Sequence, residues 1–322
     1  MYKNILDAIG NTPLVQVKYD TQAKIYAKLE YLNPGGSIKD RSALFMIEYA
    51  EKNGLLNPGG IIVDASSGNH GIAVAMIGKA KGYKVIIAVS QKVSQEKLQT
   101  IKAYGAEIVM CPSTAFIDDP QSYHSVAARI HKNTPNSFMP DQYFNVVNTM
   151  GHEALTGPEI WKQTEGKITH FFAGAGTGGT VSGVGRYLKK QNSKIKIIAV
   201  DSINSFRSTK GNPKPYKIEG IGIDFDTPVL DKSVIDEIIP VSDTNTIEML
   251  KYLATEQSLL VGGSSGAVAQ AVKEYAKNLT SNDLAVMIFG DSGRAYLSKG
   301  FYAVDNNETK IYSEYKEPEI SL

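Results

Sequence analysis

Three short loops carry residue types and spacings that could do chemistry together. In NPGGSIKDR (residues 33–41), glycines after a strand-like run let the backbone turn sharply into a helix, with Lys39 at the junction. A lysine beside the positive end of a helix is biased toward its neutral amine. That is the form that condenses with an aldehyde, although a solvated surface lysine is the plainer reading of the same residues. In SSGNHG (66–71), backbone N–H groups between a strand and a helix can meet an anion such as a carboxylate. Asn69 can hydrogen-bond an oxygen on a ring, and His70 is either a ligand or packing. The competing reading is a plain helix cap by Ser66 or Ser67. In GAGTGGT (174–180), glycines admit close approach of the backbone to a phosphate, and Thr177 and Thr180 add hydroxyls; a tight strand-to-helix turn would use the same glycines. The loop lacks the Gly-Lys-Ser/Thr ending of a nucleotide-binding P-loop and does not match the Gly-x-Gly-x-x-Gly fingerprint cleanly enough for a dinucleotide site, so a phosphate monoester fits better. An activatable lysine, an asparagine loop and a phosphate cradle are together what a pyridoxal phosphate site needs.

Regular elements must hold these loops. Strands are expected at 25–30, 61–65, 85–89 and 108–111, interleaved with helices at 42–53, 72–81, 94–104 and 119–132. A second series has strands at 168–173, 195–201 and 284–289 and helices at 158–164, 180–190, 243–257 and 267–277. Glycines 54, 82 and 105 stop helices of the first series, as βαβ units on a parallel sheet require. Two such series predict two lobes with a ligand between them at the strand C-termini. The tail from Val304 is polar and charged and reads as a surface strap or disorder.

Bulk composition narrows the classes. The 322 residues carry a formal net charge of +1, which offers no electrostatic case for nucleic acid or an anionic membrane. No apolar run approaches membrane-spanning length, and no signal peptide is expected near Met1. The lone cysteine, Cys111, excludes an intrachain disulfide and fits a reducing, cytoplasmic location. The five histidines and that cysteine show no convincing metal-binding cluster.

With these motifs on the page, the sequence resembles the fold-type II pyridoxal phosphate enzymes of the cysteine synthase and cystathionine β-synthase branch. The resemblance runs from IGNTPLV (9–15) to DSGRAYLSK (291–299). NPGGSIKDR is close to diagnostic; GAGTGGT, IEGIG (218–222) and VGGSSGA (261–267) support it separately. It implies an α/β, two-lobed fold like that of the tryptophan synthase β chain, each lobe a mostly parallel sheet flanked by helices. Residues 1–40 with 146–322 would form the large domain that binds the cofactor phosphate. Residues 41–145 would form a small, mobile domain that binds the substrate carboxylate.

Carried over position by position, the resemblance implies that Lys39 holds the cofactor aldehyde as a Schiff base and later acts as general base. Asn69 would bond the cofactor's phenolic oxygen. Gly176, Thr177, Gly178, Gly179 and Thr180 would hold its phosphate, and Ser264 would face the pyridine nitrogen. Ser66, Ser67, Gly68, His70 and Gln142 would bind the substrate carboxylate, and Asp291 would lie near the ring-nitrogen end. The implied reaction is β-replacement on serine, O-acetylserine or cysteine through an aminoacrylate, with sulfide or homocysteine as the small thiol nucleophile, in a homodimer.

Two motifs pull in different directions. Synthases usually have threonine where this chain has His70, and SSGNHG is also the form of serine and threonine dehydratases. IEGIGIDFDTPVLD leans toward cystathionine β-synthase, with Asp224 and Asp226 flanking the expected mouth. A lyase releasing hydrogen sulfide from cysteine, a serine deaminase and a non-enzymatic ligand-binding module are the alternatives. An intact Lys39 argues against the last.

Overall fold

The computed structural model describes residues 1–66, 68–114 and 117–303, so the tail from Val304 lies outside the described residues. The elements run β1 (Leu14–Gln16), β2 (Lys24–Leu29), α1 (Lys39–Lys52), β3 (Ile61–Ala65), α2 (Asn69–Ala80), β4 (Lys84–Ser90), α3 (Gln95–Ala103) and β5 (Glu107–Cys111). There follow α4 (Tyr123–Asn133), β6 (Ser137–Phe138), α5 (Val147–Gly151), a π-helical turn (His152–Thr156), α6 (Gly157–Gln163), β7 (His170–Gly174) and α7 (Gly179–Gln191). The described chain closes with β8 (Lys196–Ser202), β9 (Glu237–Val241), α8 (Asp243–Glu256), α9 (Gly263–Tyr275) and β10 (Leu284–Phe289).

The strands form two sheets. The larger has the order β1-β2-β10-β7-β8-β9 and the smaller β5-β4-β3-β6. Every pairing is parallel except β1 with β2. The fold is therefore the expected α/β architecture with two mostly parallel sheets. Strands of the smaller sheet all come from the middle of the sequence, between Ile61 and Phe138.

Burial on both faces explains why the central strands read as unbroken apolar runs. In the larger sheet Phe172, Ile198 and Met287 enter the core with α8 and α9. Their neighbours Phe171, Ile197 and Val286 face α7 on the other side. In the smaller sheet Ile62, Val85 and Ile87 meet residues of α1, α2 and α3, whereas Val63, Ile86 and Ala88 meet Ala127 of α4.

Three strands escape the sequence reading. β1 and β6 are only three and two residues long. β9 contains Pro240 and lies at the sheet edge, where a residue without an N–H is tolerated. Helix starts also shift, and this matters for chemistry. α1 begins at Lys39, α2 at Asn69 and α9 at Gly263, three or four residues before the positions expected from the apolar periodicity.

Candidate active site

Four helices start at one cavity. Lys39 is the first residue of α1 and Asn69 the first of α2; Thr180 and Ser264 are the second residues of α7 and α9, and all four line it. The ends of β7 (Ala173, Gly174) and β10 (Ile288) complete the wall, so the cavity opens at strand C-termini.

The caps at these helix starts are informative. Ile38, Gly68, Gly178 and Gly262 precede the four helices, and none supplies a side-chain cap hydrogen bond. Away from the cavity α3, α4 and α8 are capped by Ser94, Ser122 and Ser242, whereas the short α5 and α6 carry no side-chain cap. The first-turn N–H groups of α1 are taken by Ser37 and Ile38, but those of Asn69, Thr180 and Ser264 meet no acceptor among the described residues, so free donors and positive helix ends face the cavity, an arrangement suited to anions. The capping role considered for Ser66 is thereby corrected. Gly68 is the N-cap residue of α2, and the Ser66 hydroxyl accepts from the Gly68 N–H at 3.3 Å within the loop. Ser67 lies outside the described residues.

Lys39 stands half-buried among these helix ends. Burial lowers its ammonium pKa from 10.5 to about 8, and Asp291 partly opposes the shift. Desolvation is therefore the main cause, in place of the helix terminus invoked from sequence. With a pKa about 8, roughly one amine in ten is neutral at pH 7.

The glycine loop between β7 and α7 is shaped by close contacts. Gly178 has φ +90°, a left-handed conformation that a side chain would strain, and a Cβ there would also meet Leu230 at 2.6 Å. A Cβ on Gly176 would meet the Gly220 carbonyl at 2.8 Å, so the loop lies directly on the IEGIG segment. The N–H groups of Gly176, Thr177 and Gly178 donate to no acceptor among the described residues. The Thr177 hydroxyl is engaged by Asn148 at 3.3 Å and the Gly179 N–H at 3.2 Å, and Thr180 contacts His152 Nε2 at 3.3 Å. The free donors are thus mainly backbone. Gly179 is buried as the first residue of α7 and does not line the cavity.

Asn69 is fixed from the opposite direction. Its Nδ2 donates to Asp291 Oδ2 at 2.7 Å, and the Tyr296 hydroxyl donates to the same oxygen. The Asp291 carboxylate therefore meets Asn69 directly, and its other oxygen lies against Gly262 at the start of α9. Lys97 of α3 pairs with Glu219 and donates to the Tyr296 hydroxyl at 3.3 Å. These contacts join the smaller-sheet side, through Asn69 and Lys97, to the larger-sheet side.

His70 is almost fully buried and does not line the cavity. Its Nε2 lies 3.6 Å from Asp64 Oδ1, and neither ring nitrogen nor either Asp64 oxygen has a hydrogen-bond partner among the described residues. Burial pushes the imidazole down to about 3 and the Asp64 carboxyl up to about 8. Both groups are neutral near pH 7, so His70 cannot offer a cation to a carboxylate. Of the two roles open to it, carboxylate ligand or packing in the loop, the buried place behind the cavity wall favours packing. Replacing His70 with threonine should leave the pH dependence of kcat/KM between pH 6 and 9 unmoved; a displaced acid limb in that profile would show that the ring titrates during turnover.

Ser66, Gly68 and Gln142 also do not line the cavity, and Gln142 is buried with Oε1 unpartnered. Asp224 and Asp226 are both exposed. Asp224 accepts from the Tyr216 hydroxyl at 3.2 Å, and Asp226 is 3.9 Å from Lys232. Sequence reading missed Gly220, Gly290 and Ile38 as wall residues. Ile38 and Gly220 lie inside the NPGGSIKDR and IEGIG motifs and Gly290 directly precedes DSGRAYLSK, which is the only signal for them.

The donor set fits pyridoxal phosphate: a lysine with a lowered pKa, an oriented asparagine amide, a neutral serine and unpaired backbone donors at a helix start. Comparison with known proteins agrees. A family model described as pyridoxal-phosphate dependent enzyme matches residues 5–291. The chain is 45% identical over 305 residues to a cystathionine beta-synthase of Apis mellifera, covering 92% of this chain and 60% of that protein. It is 41% identical over 307 residues to a cysteine synthase of Staphylococcus aureus, covering 94% of this chain and 98% of that one. Among solved structures, the O-acetylserine dependent cystathionine beta-synthase from Helicobacter pylori aligns with a TM-score of 0.88 at 35% identity, covering 94% and 99% of the two chains. The chain thus spans about three fifths of the length of the bee enzyme but nearly all of the two bacterial ones. Among the described residues, no helix is long and apolar enough to cross a membrane.

Proposed function

The chain belongs to the pyridoxal-phosphate dependent enzymes, and from that premise we propose that it catalyses β-replacement on serine, O-acetylserine or cysteine, with sulfide or homocysteine as nucleophile. The observation that carries this reading is the convergence of four uncapped helix starts around Lys39. It offers separate donor sets for a phosphate and a second anion on either side of a poised amine. Relatives on both sides of the cysteine synthase and cystathionine beta-synthase divide support it.

Bound pyridoxal phosphate supplies an electron sink for negative charge at the substrate Cα. Backbone N–H groups of Gly176, Thr177, Gly178 and Thr180 would hold its phosphate, Asn69 would bond its phenolic oxygen, and Ser264 would offer the ring nitrogen a neutral partner. Lys39 Nζ takes the proton from the substrate Cα, and its lowered pKa matches that task. The start of α2 at Asn69 would receive the substrate carboxylate, with the loop at Ser66 to Gly68 and Gln142 behind the wall supporting it. The β-substituent would leave Cβ with its bonding electrons, the thiol sulfur would take its place and pass its proton to the departed group, and Lys39 would return its proton to Cα.

Residues 41–145 act as the smaller lobe, and closing it over the substrate excludes water. The Lys97–Glu219 and Asn69–Asp291 contacts support closure as the state described above. A cytoplasmic homodimer is part of the same reading. Exposed Val146, Met150 and Leu155, spaced along α5 and the π turn, supply apolar surface for it, which sedimentation would test.

The deciding experiment gives the purified protein O-acetylserine, serine or cysteine with sulfide, homocysteine or no thiol, and identifies products by mass spectrometry. Cysteine or cystathionine is the expected product. Pyruvate accumulating at the same rate with or without thiol would replace this reading by a deaminase, and sulfide released from cysteine alone would point to a lyase.

A further inference from the structure

Arg207 lies in the long connection after β8, outside every motif named above. Its side chain is only 6% exposed. Nη1 donates to the Ala175 carbonyl at 2.6 Å and Nη2 to the Gly176 carbonyl at 2.6 Å, while Nη1 also meets Asp201 Oδ1 at 3.3 Å. Asp201 is fully buried, and its other oxygen accepts from the Ser205 hydroxyl at 2.6 Å. The guanidinium is thus held on one side by an anchored carboxylate and grips two successive carbonyls of the glycine loop on the other.

Peptide geometry gives this grip a consequence. Each peptide unit is planar and trans, so its C=O and N–H point in opposite directions. Pulling the Ala175 and Gly176 carbonyls onto Arg207 turns the N–H groups of Gly176 and Thr177 the other way. Those two residues line the cavity, and their N–H groups have no acceptor among the described residues. Glycine at 176 leaves the loop backbone otherwise loose, so an external brace is needed to hold the donors in register. A charged donor on each carbonyl also polarises the peptide beyond it, which strengthens the N–H as a donor.

We propose that Arg207 is a positioning residue for the phosphate cradle: its planar fork on the Ala175 and Gly176 carbonyls aims the Gly176 and Thr177 N–H groups at a phosphate monoester. This rests on the reading of the cavity as the pyridoxal phosphate site. Arg207 touches the loop and not the phosphate itself. A lysine cannot reproduce the role, because one ammonium does not present two coplanar donors at fixed spacing.

The test compares dissociation constants of the full-length protein for pyridoxal phosphate and for pyridoxal, which has the same ring and aldehyde but no phosphate. Arg207→Met should weaken pyridoxal phosphate binding about 10- to 100-fold, leave pyridoxal within about twofold, and shift the phosphorus resonance of the bound cofactor. Arg207→Lys, which keeps the charge, should also lose several-fold of the phosphate preference, and it answers the question if the methionine variant folds poorly. Equal weakening of both ligands, or an unchanged ratio in both variants, would overturn the proposal by making Arg207 a general brace of the fold. If the parent protein itself binds neither ligand, the cofactor reading fails first, and that outcome is distinct.

Discussion

Lys39→Ala is expected to lower turnover by more than about 10³-fold, because one residue supplies both the amine that attaches the cofactor and the base that moves the Cα proton. The fold should survive, since Lys39 is half-buried and its amine makes no hydrogen bond or ion pair among the described residues. Pyridoxal phosphate should still bind, held by the glycine loop, but no longer covalently. Mass spectrometry after borohydride reduction therefore separates the two roles: the parent retains the added mass and the variant does not. The depressed pKa gives a second measurement on the same residue. In cofactor-free protein, Lys39 should react with an amine-directed acylating reagent with a midpoint near pH 8, the neutral fraction rising as pH increases. Exposed lysines titrate about two units higher. Full turnover by Lys39→Ala, or a reactivity midpoint above about 10, would remove Lys39 from the chemistry.

The second large effect concerns stability. Arg41, two residues after Lys39 in α1, joins a buried cluster of two cations and two anions. Its guanidinium bonds Glu30 through Nε and Nη2 at 2.7 and 2.8 Å, and Glu159 through Nη1 and Nη2 at 2.7 and 2.9 Å. Lys28 reaches Glu159 and Thr12 from below, and Asn33 and Thr12 occupy the remaining positions on Glu30. Lys28 and Glu30 are fully buried, Arg41 is 3% exposed and the Glu159 side chain 14%, so water can reach only the Glu159 edge of the cluster. Arg41→Met strands two carboxylates facing a single lysine. Breaking a buried pair this way costs about 3–5 kcal/mol, which chemical denaturation would read as a lowered midpoint at unchanged slope.

The pH dependence follows with a definite sign. Arg41 and Lys28 hold the Glu159 carboxyl down from 4.5 to about 2 despite its burial. A depressed carboxylate contributes stability that is present above its ordinary pKa and lost as pH falls toward the folded value. Part of the parent's stability should therefore disappear between about pH 4.5 and pH 2, and Arg41→Met should flatten that acid limb. A variant as stable as the parent at pH 7 would mean that the cluster is neutral in its net effect.

This cluster was not legible in the sequence. Lys24, Tyr26, Lys28 and Glu30 alternate as an outward face of β2 would, and only the docking of α1 and α6 converts Lys28 and Glu30 into interior charges. Asn69 and Asp291 are likewise 222 positions apart, so no local pattern couples them. The role of Asp291 at the Asn69 end, the neutrality of His70 beside Asp64 and the brace from Arg207 all depend on which strands are neighbours.

The local chemistry was legible because it is written in residue types with short-range consequences. Glycines at a strand-to-helix junction dictate the turn, and a missing cap leaves donors free. A lysine at the first helical position stands at the junction itself. These facts hold in any fold that contains the junctions, so the three loops and the class of cofactor were legible in the sequence, while the helix starts that bring Lys39 and Asn69 to one cavity were not. Tertiary structure decided which groups are buried and beside whom. Burial depth sets the charge of a titratable side chain, and neighbours from distant segments set its orientation. SSGNHG was therefore readable as an anion-binding helix start, while the silence of its histidine emerged only once α2 was packed against β3.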